Sequence, residues 1–219
     1  MVDFVLNAEE ARVLGVLLEK SMATPEYYPL TRNSLTIACN QKSNRNPVVA
    51  YDETTVADAV ATLLDKQLVV RSATGRVTKY AECFVGNAKL LNREAALLCL
   101  LLLRGPQTAG ELRSRSERLH AFSDLAGVNE TLDDLVEMGF VVKLPRQPGR
   151  KEPRFAHLLG GEVKEDAALP APAEARPGGD TAERQAGGRL EELAEEVASL
   201  RTALEDLRRQ FLDFRNQFE

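Results

Sequence analysis

The chain has 219 residues, with 28 Lys and Arg against 33 Asp and Glu, 44% hydrophobic and 5% aromatic side chains, and no tryptophan. Its longest apolar run is nine residues (95–103), far short of the roughly 20 that a membrane span needs, and so few aromatics make stacking on single-stranded bases a poor expectation. The acidity is regional: residues 1–85 carry 9 basic and 10 acidic side chains, residues 86–164 carry 12 and 10, and residues 165–219 carry 7 and 13. A mildly basic middle is thus masked by an acidic tail, and whole-chain charge is no argument against a nucleic-acid partner.

The first predicted helix opens at Leu6-Asn7-Ala8-Glu9-Glu10-Ala11, where Asn can cap and Glu suits the helix dipole. Val13, Leu14, Leu17 and Leu18 continue it at helical spacing. A second helix starts near Thr31 with Leu35, and a third carries Val56, Val60, Leu63 and Leu64 on one face. Two β-prone runs, 68–71 and 76–80, then flank a turn at Ser72-Ala73-Thr74-Gly75, the pattern of a hairpin.

The same order returns. Leu91-Asn92-Arg93-Glu94-Ala95-Ala96 echoes the opening, Thr108 with Leu112 echoes Thr31 with Leu35, and Val128, Leu132, Leu135 and Val136 repeat the third-helix spacing. Residues 140–144 and 154–156 form a second hairpin around a Pro- and Gly-bearing turn. Three helices and a hairpin, twice, predict an α+β, mostly helical fold of two tandem winged helix–turn–helix domains, residues 1–85 and 86–164. Beyond them, 14 of the 24 residues 165–188 are Ala, Pro or Gly, which predicts a flexible, disordered linker. Leu190, Leu193, Val197, Leu200, Leu204, Leu207, Phe211, Phe214 and Phe218 then alternate three and four apart, the seam of a coiled coil over residues 189–219. We expect this helix to make the chain a homo-oligomer, the alternative being that it folds back on its own domains.

Catalytic chemistry has little foothold. Cys39, Cys83, Cys99, His120 and His157 are too scattered for a zinc site, and no metal ligand, cofactor-binding residue or catalytic residue is assigned. No phosphate-cradling glycine loop or nucleophile elbow occurs. The opening residues lack the basic start and apolar stretch of a secretion signal, so a reducing cytoplasm with free thiols is expected. His157, between Ala156 and Leu158, reads as a core or edge histidine more readily than a ligand.

Two loop motifs carry a family likeness. Asn40-Gln41-Lys42-Ser43-Asn44-Arg45-Asn46-Pro47-Val48 with Tyr51-Asp52-Glu53, and Pro148-Gly149-Arg150-Lys151-Glu152-Pro153-Arg154-Phe155-Ala156-His157-Leu158-Leu159, resemble the signature stretches of the bacterial YceH family, as do Leu6-Asn7 with Glu9 and Pro25-Glu26-Tyr27-Tyr28-Pro29-Leu30. The resemblance covers residues 3–160 and implies tandem winged-helix domains of unknown function. It supplies no activity.

Charge placement then suggests which surface binds. Winged helices usually insert the third helix into the major groove, yet here those helices present Glu53, Asp58 and Asp65, and Glu130, Asp133, Asp134 and Glu137. Carboxylates against phosphates oppose binding. The bases lie elsewhere: Lys143, Arg146, Arg150, Lys151 and Arg154 on the second hairpin, Arg113, Arg115 and Arg118 on its second helix, Arg71, Arg76 and Lys79 on the first hairpin, and Lys42 and Arg45 on the Asn-rich loop. These are the candidate contacts to double-stranded DNA, made through wings and loops with weak sequence preference, as in a transcription or chromosome-associated factor. The alternatives are a protein-interaction scaffold, a solvated hairpin surface, and for residues 40–47 a packed structural turn.

The heptad seam yields a direct expectation. Leu200→Asp together with Leu204→Asp would bury charge in it, so light scattering should show an oligomer falling to the monomer mass; a monomeric wild type would reject self-association.

Overall fold

A computed structural model describes residues 4–72, 77–146 and 152–161. Helices and two small antiparallel sheets make up these residues, and the linker and heptad segments lie outside them.

Helix α1 (Ala8–Ala23) begins where Asn7 Oδ1 accepts from the Glu10 amide at 2.7 Å and Glu10 Oε2 accepts from the Asn7 amide at 3.1 Å. This reciprocal pair satisfies two otherwise orphaned donors. Residues 10–18 of α1 are all buried, because other helices cover it on more than one side. A short 3₁₀ turn (Pro25–Tyr27) leads to strand β1 (Leu30–Thr31) and helix α2 (Arg32–Cys39), which Thr31 caps by accepting from the Ser34 amide. Helix α3 (Glu53–Asp65) is capped by Asp52, whose carboxylate accepts from Thr55 at 2.7 Å. Those bonds favour its charged form and hold its pKa near about 2. Strands β2 (Val69–Ser72) and β3 (Lys79–Glu82) follow, with β3 central in the order β1-β3-β2 and Arg71 opposite Tyr80.

A short helix α4 (Phe84–Asn87) joins the repeats. Then α5 (Asn92–Arg104), α6 (Ala109–Ser116, capped by Thr108), α7 (Leu125–Glu137, capped by Asp124), β4 (Val141–Lys143) and β5 (Phe155–His157) restate the first half. A single bridge, Gln107 opposite Phe155, stands where β1 pairs with β3 in the first repeat.

One detail of the repeat differs from the sequence reading. Asn92 is not the cap of α5 but its first helical residue; Leu91 occupies the cap position, and Glu94 Oε2 accepts from the Leu91 amide at 2.8 Å. The true correspondence is Glu10 with Glu94 and Leu6 (3% exposed) with Leu90 (7%), while Leu91 is 54% exposed. Register is set by the buried leucine before the cap and the glutamate three residues after it, not by the asparagine. The third helices pack as expected through Val56, Val60 and Leu63 and through Val128, Leu132 and Leu135; Val136 lies exposed at the edge of its stripe.

The buried apolar side chains of both repeats form one continuous core. At its centre α1 crosses α5, and Gly15 meets its own structural counterpart Cys99, whose Sγ donates to the Gly15 carbonyl at 3.4 Å. A Cβ on Gly15 would come within 3.1 Å of Leu102 Cβ and 3.0 Å of Leu103 Cγ. The start of the first repeat is also tied to the end of the second, the Leu6 amide donating to the Leu159 carbonyl at 2.7 Å, while the Leu90 amide donates to Val85 at 2.9 Å in the turn that closes α4. Phe84 sits edge-on between Phe4 and Phe140 at 6.3 and 5.7 Å.

His157 ends β5 beside this seam. Its Nδ1 is buried without a hydrogen-bond partner among the described residues, and burial pulls its pKa down to about 4.

Two consequences are measurable. Gly15→Val should force α1 and α5 apart and cost about 2–3 kcal/mol, with residues 4–161 still melting in one transition because both repeats share the core; two resolved transitions would contradict this. For His157 the folded pKa lies below the ordinary 6.5, so the unfolded state binds the proton first as pH falls, and stability is lost from about pH 6.5 down to 4. The loss reaches at most about 3 kcal/mol, and His157→Gln should flatten that limb in urea melts at stepped pH.

Candidate nucleic-acid interface

The Asn-rich loop between α2 and α3 is built from its own polar side chains. Asn40 clamps its ends, donating from Nδ2 to the Tyr51 carbonyl at 2.7 Å and accepting the Tyr51 amide at 2.8 Å. Within it Arg45 turns inward, its side chain wholly buried. Nη1 and Nη2 donate to the two Glu19 oxygens at 3.0 and 2.6 Å, Nε and Nη2 share the Ala38 carbonyl, and Asn44 O and Gln41 Oε1 take the remainder. A guanidinium with every donor engaged by fixed acceptors has nothing left for a phosphate. Arg45 therefore leaves the set of candidate contacts and becomes the anchor of the loop, which is a packed structural turn.

A second buried arginine completes the arrangement. Arg12 interrupts the apolar face of α1 and donates from Nη2 to the Pro47 carbonyl at 2.6 Å and from Nη1 to Cys39 at 3.4 Å. Burial, then the charge of Arg45, lowers its pKa. The loop also reaches the other repeat: the Asn46 amide donates to the Leu103 carbonyl at 2.9 Å, at the C-terminal end of α5. Sequence reasoning passed over Arg12 and Arg104. The available signals were an arginine between Ala11 and Val13, where α1 should be apolar, and one closing the apolar run of α5.

The remaining bases divide by freedom. Lys42, Arg71, Arg113, Arg118, Lys143 and Arg146 are exposed, and Lys79, Arg115 and Arg154 are half-buried. Arg115 is held by Gln107 Oε1 at 2.7 Å and Glu111 at 3.4 Å, and Arg113 donates to the Ser123 carbonyl at 2.9 Å. Lys143 Nζ lies 5.8 Å above the Phe155 ring, and Arg154 Nε is buried without a partner among the described residues. Arg76, Arg150 and Lys151 lie outside the described residues.

The third helices present the opposite charge. Asp58 and Asp65 on α3, and Glu130 and Glu137 on α7, all face solvent, at the sixth and thirteenth positions after their aspartate caps in both repeats. Asp133 joins them, while Asp134 pairs with Arg93 at 3.1 Å. On α7 the exposed face also carries Leu125 and Val136, with Met138 just beyond.

Burial pushes the Cys39 thiol up to about 12, raises Cys99 well above its ordinary value and raises Cys83, so none is poised as a thiolate. Among the described residues, no three His, Cys, Asp or Glu side chains converge as metal ligands, and no helix is long and apolar enough to cross a membrane.

Comparison with known proteins places the chain. Residues 6–150 match the family described as "Protein of unknown function, DUF480". A UPF0502 protein of Pelobacter propionicus is 52% identical over 99% of this chain and 100% of its own length. UPF0502 protein GSU0233 of Geobacter sulfurreducens is 49% identical over 99% and 100%, and a UPF0502 protein of Aeromonas hydrophila is 47% identical over 93% and 94%. The chain belongs to this bacterial DUF480/UPF0502 family, whose function is uncharacterised.

Proposed function

We propose that the protein is a non-enzymatic, cytoplasmic, tandem winged-helix factor that binds duplex DNA through its hairpins and adjoining loops, with weak sequence preference, and self-associates through residues 189–219. The element order α1-β1-α2-α3-β2-β3, restated by α5 to β5, supports the winged-helix reading. The loop motifs at 40–53 and 148–159 support kinship with the YceH proteins.

The observation that carries the DNA reading is the segregation of charge. Exposed bases sit on the second hairpin (Lys143, Arg146), on α6 (Arg113) and just past its end (Arg118), whereas the exposed charges along α7 are all acidic and those of α3 include Asp58 and Asp65. Phosphate contacts from such bases fix position on a duplex without reading its sequence, and carboxylated third helices would oppose insertion into a groove. A second reading has its own observation: the face of α7, where Leu125 and Val136 lie beside Glu130, Asp133 and Glu137, suits a cationic protein segment and a scaffold role.

Arg146, Arg150 and Lys151 changed together to alanine test the first reading, with Arg154 kept because its Nε is buried. If all three touch phosphates, the slope of log affinity against log salt should fall by about 2.7, similarly on two unrelated duplexes. No wild-type binding at about 50 mM salt rejects DNA and leaves the cationic protein partner as the better reading.

A further inference from the structure

Where the Asn-rich loop of the first repeat meets the end of α5 in the second, three guanidiniums gather around two carboxylates. Arg45 holds Glu19, which Lys20 also touches at 3.5 Å. Arg115 holds Glu111, whose other oxygen accepts from the Thr108 amide. The third guanidinium, Arg104, has no carboxylate within 4.0 Å among the described residues. Among the described residues its side chain makes one long bond, Nη1 to Asn44 Oδ1 at 3.5 Å. Burial, then repulsion from Arg115, lowers its pKa, with the charges of Glu111 and Glu19 opposing that only in part. Asn44 is exposed beside it, and Lys42, two residues earlier in the same loop, is exposed with no protein partner among the described residues.

We propose that Arg104, with Lys42 and Asn44 of the facing loop, forms a phosphate-binding site across the joint between the repeats, occupied by a backbone phosphate of duplex DNA. Arg104 offers a planar fork whose Nε and Nη2 are unengaged among the described residues, the geometry that matches two oxygens of a tetrahedral anion. Lys42 adds a second cation and Asn44 an amide donor. Because the two neighbouring carboxylates already have arginine partners, an incoming anion meets one uncompensated guanidinium rather than a neutral network. The structural bonds of Asn46 to the Leu103 carbonyl and of Arg45 to Glu19 hold the two halves of the site in place without drawing on Arg104. The site's existence is independent of the DNA reading, but the identity of its ligand rests on it.

The full-length protein can be tested with inorganic phosphate first. Phosphate stabilises any fold somewhat by exclusion, so the readout is the difference between variants at matched ionic strength. At roughly tenfold its Kd, phosphate should raise the melting temperature of the wild type and of the control Lys89→Gln, an exposed residue before the other end of α5, by about 3–5 °C more than it raises Arg104→Gln, with Lys42→Gln intermediate. In ¹⁵N spectra the arginine Nε signal that disappears in Arg104→Gln should move as phosphate is added to the wild type. Equal phosphate shifts in wild type and Arg104→Gln, or an unmoved Nε signal, overturn the site. If Arg104→Gln folds poorly, Arg104→Lys should fold and retain only part of the phosphate effect; a full effect also overturns the fork. The DNA source is then read separately. Where the wild type binds a duplex, Arg104→Gln should lower the log–log salt slope by about 0.9, and an unchanged slope overturns the DNA phosphate as ligand. Absence of wild-type duplex binding removes the DNA reading as a whole, and the phosphate shifts still decide whether the site exists.

Discussion

Close approach of α1 and α5 at Gly15 is the constraint on which the two repeats depend. With hydrogen in place of a side chain, the backbone of α1 lies against Cys99, Leu102 and Leu103 of α5, and the apolar faces of both helices merge. That explains why two units, each too small to bury a large core alone, can leave their outer helices and hairpins so polar. It also explains how α1 is buried along residues 10–18: its own repeat covers one side and the other repeat covers the rest.

Around this contact, charge is sorted into structural and free sets. Arg45 and Glu19 form a bidentate pair at low exposure, and removing either partner of such a pair commonly costs about 3–5 kcal/mol because the other is left buried and uncompensated. Arg12 donates to the backbone carbonyls of Cys39 at the end of α2 and Pro47 in the loop. The joint is thus cross-linked by polar side chains as well as packed by leucines, and the surface bases are those that this network does not consume.

Much of the fold was legible from periodicity. The third-helix stripes, the threonine caps at 31 and 108 and the paired hairpins follow from local spacing and capping chemistry, which act within a few residues. What the sequence alone hid was long-range. Asn92 looks like a cap, and only the burial of Leu90 reveals the register. Arg45 and Lys42 are alike in a loop rich in Asn and Ser, yet Glu19, 26 residues away, draws one inward and leaves the other in solvent. Arg104 acquires meaning only once a loop from the other repeat is seen beside it. No local pattern encodes which of several arginines finds a carboxylate.

The packing of α1 on α5 and the bond from Leu6 to Leu159 make the joint resemble a dimer interface written into one chain. Residues 88–91 serve as the tether, so each repeat meets the other at an effective concentration of order millimolar, however dilute the protein is. A half released from its partner would carry an uncovered leucine face on α1 or α5, and such a face invites association with whatever apolar surface is nearest. Fusion in one polypeptide keeps that face committed to a single partner from the moment the second half is made.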